Sequence, residues 1–391
     1  MKGTLNVFPG LMLGASLLIF GVGAGMGQVP KTTFQVVKTP NPNFNNGLNA
    51  ISASSANDMW ASGSAMMHYD GKKWTAFPTA TINGNPTTLD GGVIDISPTL
   101  AWGAGEEAIP NEEPVQVIEQ WNGTQWSEFP SPQFGQFDQA HFFAMAATSA
   151  NDVWAVGDLL NNGGQNLNFL FEHWDGSAWT ATSFLVNDSF LLGISADATN
   201  DAWAVGFQGP ENDSSQTLVV HWDGKNWNSV VTPNVGSGAN QLNAVQALSP
   251  TDVWAVGFST SVPPPQQEAT LTLIEHFDGK TWSVVPSPNK GPKSIYESNR
   301  LYGVTAVSST DVWAFGSYSL ADGSGQQHTL LEHWDGKKWT IVASPNPHTD
   351  SSFTSDILVA GTLASSGNLW IVGDEDEPPN GGSLAIHTTA P

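Results

Sequence analysis

Asn151-Asp152-Val153-Trp154-Ala155-Val156-Gly157, followed by His173-Trp174-Asp175-Gly176-Ser177-Ala178-Trp179, is one copy of a pattern that recurs along the chain. The first half centres on Trp60, Trp102, Trp154, Trp203, Trp254, Trp313 and Trp370, with gaps of 42, 52, 49, 51, 59 and 57 residues. The second half, His-aromatic-Asp-Gly-x-x-Trp, runs from His68 to Trp74, His173 to Trp179, His221 to Trp227, His276 to Trp282 and His333 to Trp339. A variant runs from Gln120 to Trp126. All 17 tryptophans fall inside the pattern. Residues that return in place on a cycle near fifty are architecture before they are chemistry, and such a period points to a propeller or a solenoid.

Local patterning decides between the two. In the sixth copy, residues 301–307, 311–317, 329–334 and 338–343 are short apolar, β-branched or aromatic runs with turn residues between them. The Asp-Gly pairs read as two-residue type I′ hairpin turns. No segment after residue 30 has a sustained helical period. Four antiparallel strands per repeat make a propeller blade. The seventh copy ends early, at Ala385-Ile386-His387-Thr388. Thr33-Phe34-Gln35-Val36-Val37-Lys38-Thr39-Pro40-Asn41-Pro42 repeats the outer strand of other copies, as in Trp339-Thr340-Ile341-Val342-Ala343-Ser344-Pro345-Asn346-Pro347. The expected fold is therefore all-β: a seven-bladed β-propeller of four-stranded antiparallel blades. Residues 28–391 form one domain, with 31–42 as the closing strand of the last blade. Such a clasp removes an exposed sheet edge.

Composition narrows the setting. Lys2 followed by an apolar run from Leu11 to Gly23 and small residues Gly25 and Gly27 reads as a secretory signal over 1–27, with an N-terminal anchor as the alternative. The chain has no cysteine, which excludes disulfides and thiolate metal sites. Twelve basic residues stand against 36 acidic ones, a net charge of −24. That balance disfavours nucleic acid and anionic lipid as partners. The expectation is a secreted or periplasmic monomer without cofactor or metal, and without membrane contact beyond an N-terminal anchor.

The whole-chain pattern resembles a class of secreted bacterial repeat propellers, loosely kelch-like or Asp-box-like, that lack an assigned activity. The turn departs from the sialidase Asp-box Ser-x-Asp-x-Gly-x-x-Trp because Asp and Gly are adjacent and the serine is not kept. The double glycine of kelch blades is absent. The resemblance implies the fold and carries no activity across.

Repeated positions read as scaffold. The tryptophans are expected between blades, the aspartates two residues before them on turn amides, and the periodic histidines in packing and hydrogen bonding. Function is then sought where the repeat varies. Blade two offers the acidic loop residues Glu106, Glu107, Glu112 and Glu113; the last blade offers Asp374, Glu375, Asp376 and Glu377. Flanking the short first blade, they would form an acidic pocket on one side of the ring. A Leu-x-small pattern, as in Leu301-Tyr302-Gly303 and Leu242-Asn243-Ala244, lies near the entry of innermost strands, and its x residues (Asn49, Phe143, Leu192, Asn243, Tyr302 and Val359) differ between copies. Phe143 and Tyr302 are expected to face the central channel. His141, His328 and His348 break the histidine cycle without completing a zinc set. No nucleophile elbow, phosphate loop or metalloprotease helix is present. The sequence thus points to a non-catalytic extracellular binding scaffold for glycan, peptide or protein. The alternative is a carbohydrate-active enzyme, a glycosidase or lyase, with carboxylates at the channel mouth.

Overall fold

The computed structural model describes residues 32–42, 46–107, 109, 115–134, 139–161, 166–186, 189–209, 214–260, 269–291, 297–320, 322, 324–347, 355–375 and 381–388. The segment read as a secretory signal lies outside them. The described chain is a β-propeller built almost wholly from antiparallel ladders. In the fourth repeat, Ser189–Ala198, Asp201–Gln208, Gln216–Trp222 and Trp227–Val230 pair in chain order.

Alternation along the second strand explains how the ring coheres. Successive side chains of a strand point to opposite faces. In Asp152–Asn161, Val153 and Ala155 pack with Trp102 and Ile118 of the second repeat. Trp154 and Val156 pack with Leu191, Ile194 and Val220 of the fourth. Both faces are buried, so its centre, Val153 to Val156, is continuously apolar rather than alternating. Each successive pair of repeats encloses a cluster of this kind, and Leu48, Met59 and Trp74 of the first meet Trp370, Val372 and Ala385 of the last. The core is therefore a set of seams between repeats, each lined by tryptophan.

Hydrogen bonding corrects the expected count of seven separate four-stranded blades. Five sheets stand as separate blades, four of them four-stranded. The fifth, in the second repeat, gains a strand from the hairpin Thr81–Ile82 with Asn85–Ser97. The strands of the fifth and sixth repeats are joined in one eight-stranded sheet. The cause is local: Thr270 and Ser298 pair in parallel, and the Thr270 amide donates to the Glu297 carbonyl at 3.0 Å.

Two turn assignments also change. The Asp-Gly loops are not two-residue type I′ turns. Tyr69 pairs with Trp74 across four loop residues. Gly71 alone adopts positive φ, +85°, while the Asp70 carboxylate accepts the Lys72 and Lys73 amides at 2.9 Å. These amides hold the Asp70 carboxyl below its ordinary range. The type I′ signature occurs instead at Asn83-Gly84, with φ of 50° and 92°. The aspartates before the tryptophans bind histidine rather than turn amides. His68 Nε2 meets Asp58 at 2.6 Å and His173 Nε2 meets Asp152 at 2.6 Å, each His ring lying against its own Trp. A hydroxyl from Ser54 or Thr148 occupies the second carboxylate oxygen.

The N-terminal strand Phe34–Val36 pairs antiparallel with Gly382–Thr388. Phe34 sits edge-on to Trp313, 5.5 Å between ring centroids. Trp339 of the sixth repeat meets Trp254 of the fifth in the same way, at 5.4 Å. Asn41 Oδ1 accepts the Ser383 amide at 3.1 Å, as Asn346 accepts that of Thr329 at 2.7 Å and Asn289 that of Thr272 at 2.9 Å. The Ser/Thr-Pro-Asn sequence is thus a staple, and the N-terminal copy of it fastens the last repeat.

Candidate functional site

The glycine of each Trp-x-x-Gly strand shapes the wall of the central cavity. A Cβ on Gly157 would lie 1.7 Å from the His141 carbonyl oxygen; on Gly206, 1.8 Å from that of Phe190; on Gly257, 2.0 Å from that of Gln241. Only glycine allows the two backbones so close. Directly after this approach the innermost strand bulges. Pairing jumps from Phe142 to Ala144, Leu191 to Gly193, Leu242 to Ala244, Leu301 to Gly303, Leu48 to Ala50 and Leu358 to Ala360. A bulge leaves its extra residue out of the ladder and re-aims it. The re-aimed residues are Phe143, Leu192, Asn243, Tyr302, Asn49 and Val359, and all line the central cavity. In the second repeat the jump is wider, from Thr88 to Gly92, and Asp90 is the corresponding wall residue. The cavity volume is about 820 Å³, within the range of small-molecule and peptide side-chain sites.

The repeated residues hold this wall and the unrepeated ones give it chemistry. Phe143 is 39% exposed. Asn243 is tied across the seam, donating to the Leu301 carbonyl at 2.7 Å. The charged part lies on the second and third repeats. Asp90, Glu106 and His141 line the cavity, and the buried Asp158 backs His141, whose Nδ1 is 3.0 Å from Asp158 Oδ1. The Asp158 hydrogen bond raises the His141 pKa, with Glu106 and Asp90 adding to the effect. Burial raises the Glu106 carboxyl, and the Asp90 charge raises it further. Asp90 is raised by burial. Among the described residues no lysine or arginine lines the cavity.

The expected acidic pocket between the second and last repeats is not what the described residues form. Glu106 lines the cavity, but Glu107, its neighbour in the strand, points to the opposite face and accepts from Asn85 Nδ2 at 3.0 Å. Asp374 accepts the Leu48 amide at 3.1 Å and joins the last repeat to the first. Neither Asp374 nor Glu375 lines the cavity. Glu112, Glu113, Asp376 and Glu377 lie outside the described residues. Phe143 and Tyr302 are on the wall. Sequence reading missed Asp90 and Asp158 as site residues and saw His141 only as a break in the cycle. Asp90 was recoverable, since Leu89-Asp90-Gly91 is the second repeat's own Leu-x-small. Among the described residues no group of three or more His, Asp or Glu is placed to hold a metal ion.

No protein-family model matches the sequence. No curated protein matches it by sequence either. Solved structures do match by shape. One is described as YCF48 bound to D1 peptide, with a TM-score of 0.55 and 13% identity, covering 93% of this chain and 99% of that one. Another is the WD40 β-propeller domain of Doa1, with a TM-score of 0.51 and 10% identity, covering 92% and 98%. At such identities the likeness is one of fold: this chain is similar to β-propellers, WD40 domains among them.

Proposed function

We propose that the protein is a non-catalytic, exported binding module that takes a short peptide segment into its central cavity. The observation that carries this reading is the division within each inner strand. The glycine, the bulge and the seam tryptophans repeat, whereas the residue aimed into the cavity changes from Asn49 through Asp90 and Phe143 to Val359. A plug would need only small or apolar fillers, whereas a varied ring of amide, carboxylate, aromatic and aliphatic groups suits a shaped ligand. Peptide is favoured over glycan because the tryptophans are committed to the seams and none lines the cavity among the described residues; of the Phe and Tyr rings on the wall, Phe142 and Phe315 are buried, which leaves Phe143 and Tyr302. A similar fold bound to a peptide is a precedent for the architecture only.

The test is selection of a random heptapeptide display library on the protein and on Leu192→Trp, which fills the cavity from its wall. Enriched peptides should bind the parent and lose binding to the filled variant. Equal binding to both would refute a cavity site. Export is checked by N-terminal sequencing of secreted protein: a start near Gln28 supports cleavage, and retained Met1 opposes it.

The second reading, a glycosidase or lyase, rests on the electrostatic coupling of Asp90 and Glu106 in the cavity. Paired carboxylates of raised pKa are the apparatus of glycoside cleavage. Turnover of an oligosaccharide panel abolished by Glu106→Gln would replace the non-catalytic reading.

A further inference from the structure

We infer that the group recognised in this cavity is a cation, a lysine ammonium or arginine guanidinium on the bound peptide, held between Asp90, Glu106 and the face of Phe143. The inference rests on the cavity being the peptide site.

Three independent features converge on it. First, the ionisable residues of the wall are Asp90, Glu106, His141 and Tyr302, and among the described residues no lysine or arginine stands opposite the carboxylates. A guest cation would therefore meet these carboxylates without displacing a lysine or arginine, with His141 as the internal group that shares them. Second, Phe143 is the one exposed aromatic ring among the described residues, and it lies beside His141, 6.3 Å between ring centroids. An open ring on the same wall as carboxylates can hold an alkylammonium or guanidinium by its π face. Third, two other rings are covered by cations of the chain itself: Arg300 lies 4.1 Å from the Phe258 centroid and Lys290 5.6 Å from that of Tyr318, and neither cation lines the cavity wall. No residue of the described chain does the equivalent for Phe143.

The placement follows from the fold. Asp90 occupies the second repeat's bulge and Glu106 the position just after its glycine. Phe143 is the third repeat's bulge residue, so carboxylates and ring come from adjoining repeats. Asp158, at the post-glycine position of the third repeat, holds His141 by its Nδ1 at 3.0 Å. The chain's net charge of −24 adds a long-range attraction for cations.

The experiment uses the same heptapeptide library on the full-length protein. Peptides whose binding is lost on Leu192→Trp should be enriched in lysine or arginine. Replacing that residue by norleucine or citrulline should weaken binding about tenfold, the scale of one charge-assisted contact. Asp90→Asn with Glu106→Gln should do the same, and Phe143→Leu should weaken the cationic peptide more than its norleucine analogue. Cavity-dependent peptides with no cationic enrichment, or unchanged affinity for the double variant, would overturn the cation while leaving the peptide reading intact. Peptides indifferent to Leu192→Trp would remove both.

Discussion

Within each repeat a tryptophan and the glycine three residues after it have separate tasks. Trp154 fills a seam, while Gly157 lets the His141 carbonyl approach and so creates the bulge that exposes Phe143. Buried carboxyls show the strain the seams tolerate. Glu172, Glu275 and Glu332, each 0% exposed, hold one equivalent position in the third strand, and burial pushes each up to about 8. An acid raised in the folded state favours folding most below its ordinary pKa. That stability is lost as pH rises from about 4.5 towards 8. Glutamine at any one of them should therefore raise stability at pH 8 by on the order of 1–3 kcal/mol and leave it nearly unchanged at pH 4. Urea denaturation at the two pH values measures this; an equal effect at both would contradict it. Asp197 is a second case. It stands where the first and third repeats place Ser54 and Thr148 against their aspartates. Burial and the neighbouring Asp201 raise it to about 6. Asp197→Ser should raise the melting temperature at pH 8 and do less at pH 5. At this scale the sequence showed the variable Leu-x-small residues, because they break a repeat. It misled at Glu107, because adjacent strand residues face opposite ways. It concealed Asp158, whose value lies in a partner 17 residues away.

The inner strand with its bulge is the element that joins scaffold to site. Gly257→Ala places a Cβ against the Gln241 carbonyl, so the strand pair must separate or the bulge must relax. We expect a loss of about 2–4 kcal/mol in chemical denaturation, together with weakened binding, because Asn243 would leave its hydrogen bond to Leu301. Full stability in that variant would show that the close approach is dispensable. The turns carry a different lesson. Asp-Gly matches a two-residue hairpin in sequence, but the carboxylate prefers two amides further along, and a four-residue loop results. The Ser/Thr-Pro-Asn staple was visible as a repeated string; what it fastens, an amide in the third strand, was not. These hydrogen bonds link residues whose separation is set by folding, so spacing alone cannot show them.

At the scale of the molecule, closure depends on the ends meeting. Phe34 lies in the seam of the last two repeats, and Thr39 and Asn41 bind Ser383. Removing residues 32–42 should expose the edge of Gly382–Thr388 and lower the melting temperature by roughly 10 °C or more; an unchanged transition would contradict the staple. The period revealed a ring of repeats. The joining of the fifth and sixth repeats into one sheet was not legible, since a single parallel pair, Thr270 with Ser298, depends on where the connecting chain runs. The acidic surplus was legible as a number, whereas the presence of Asp90 and Glu106 on the cavity wall required the fold. The central claim is that the ligand lies among the bulge residues and not on the outer rim. Photo-crosslinking tests it most directly, with benzoylphenylalanine at Leu192 on the wall or at Val231, 92% exposed and absent from the cavity wall. The account predicts capture of a selected peptide at position 192 and none at 231; capture at 231 with none at 192 would contradict it.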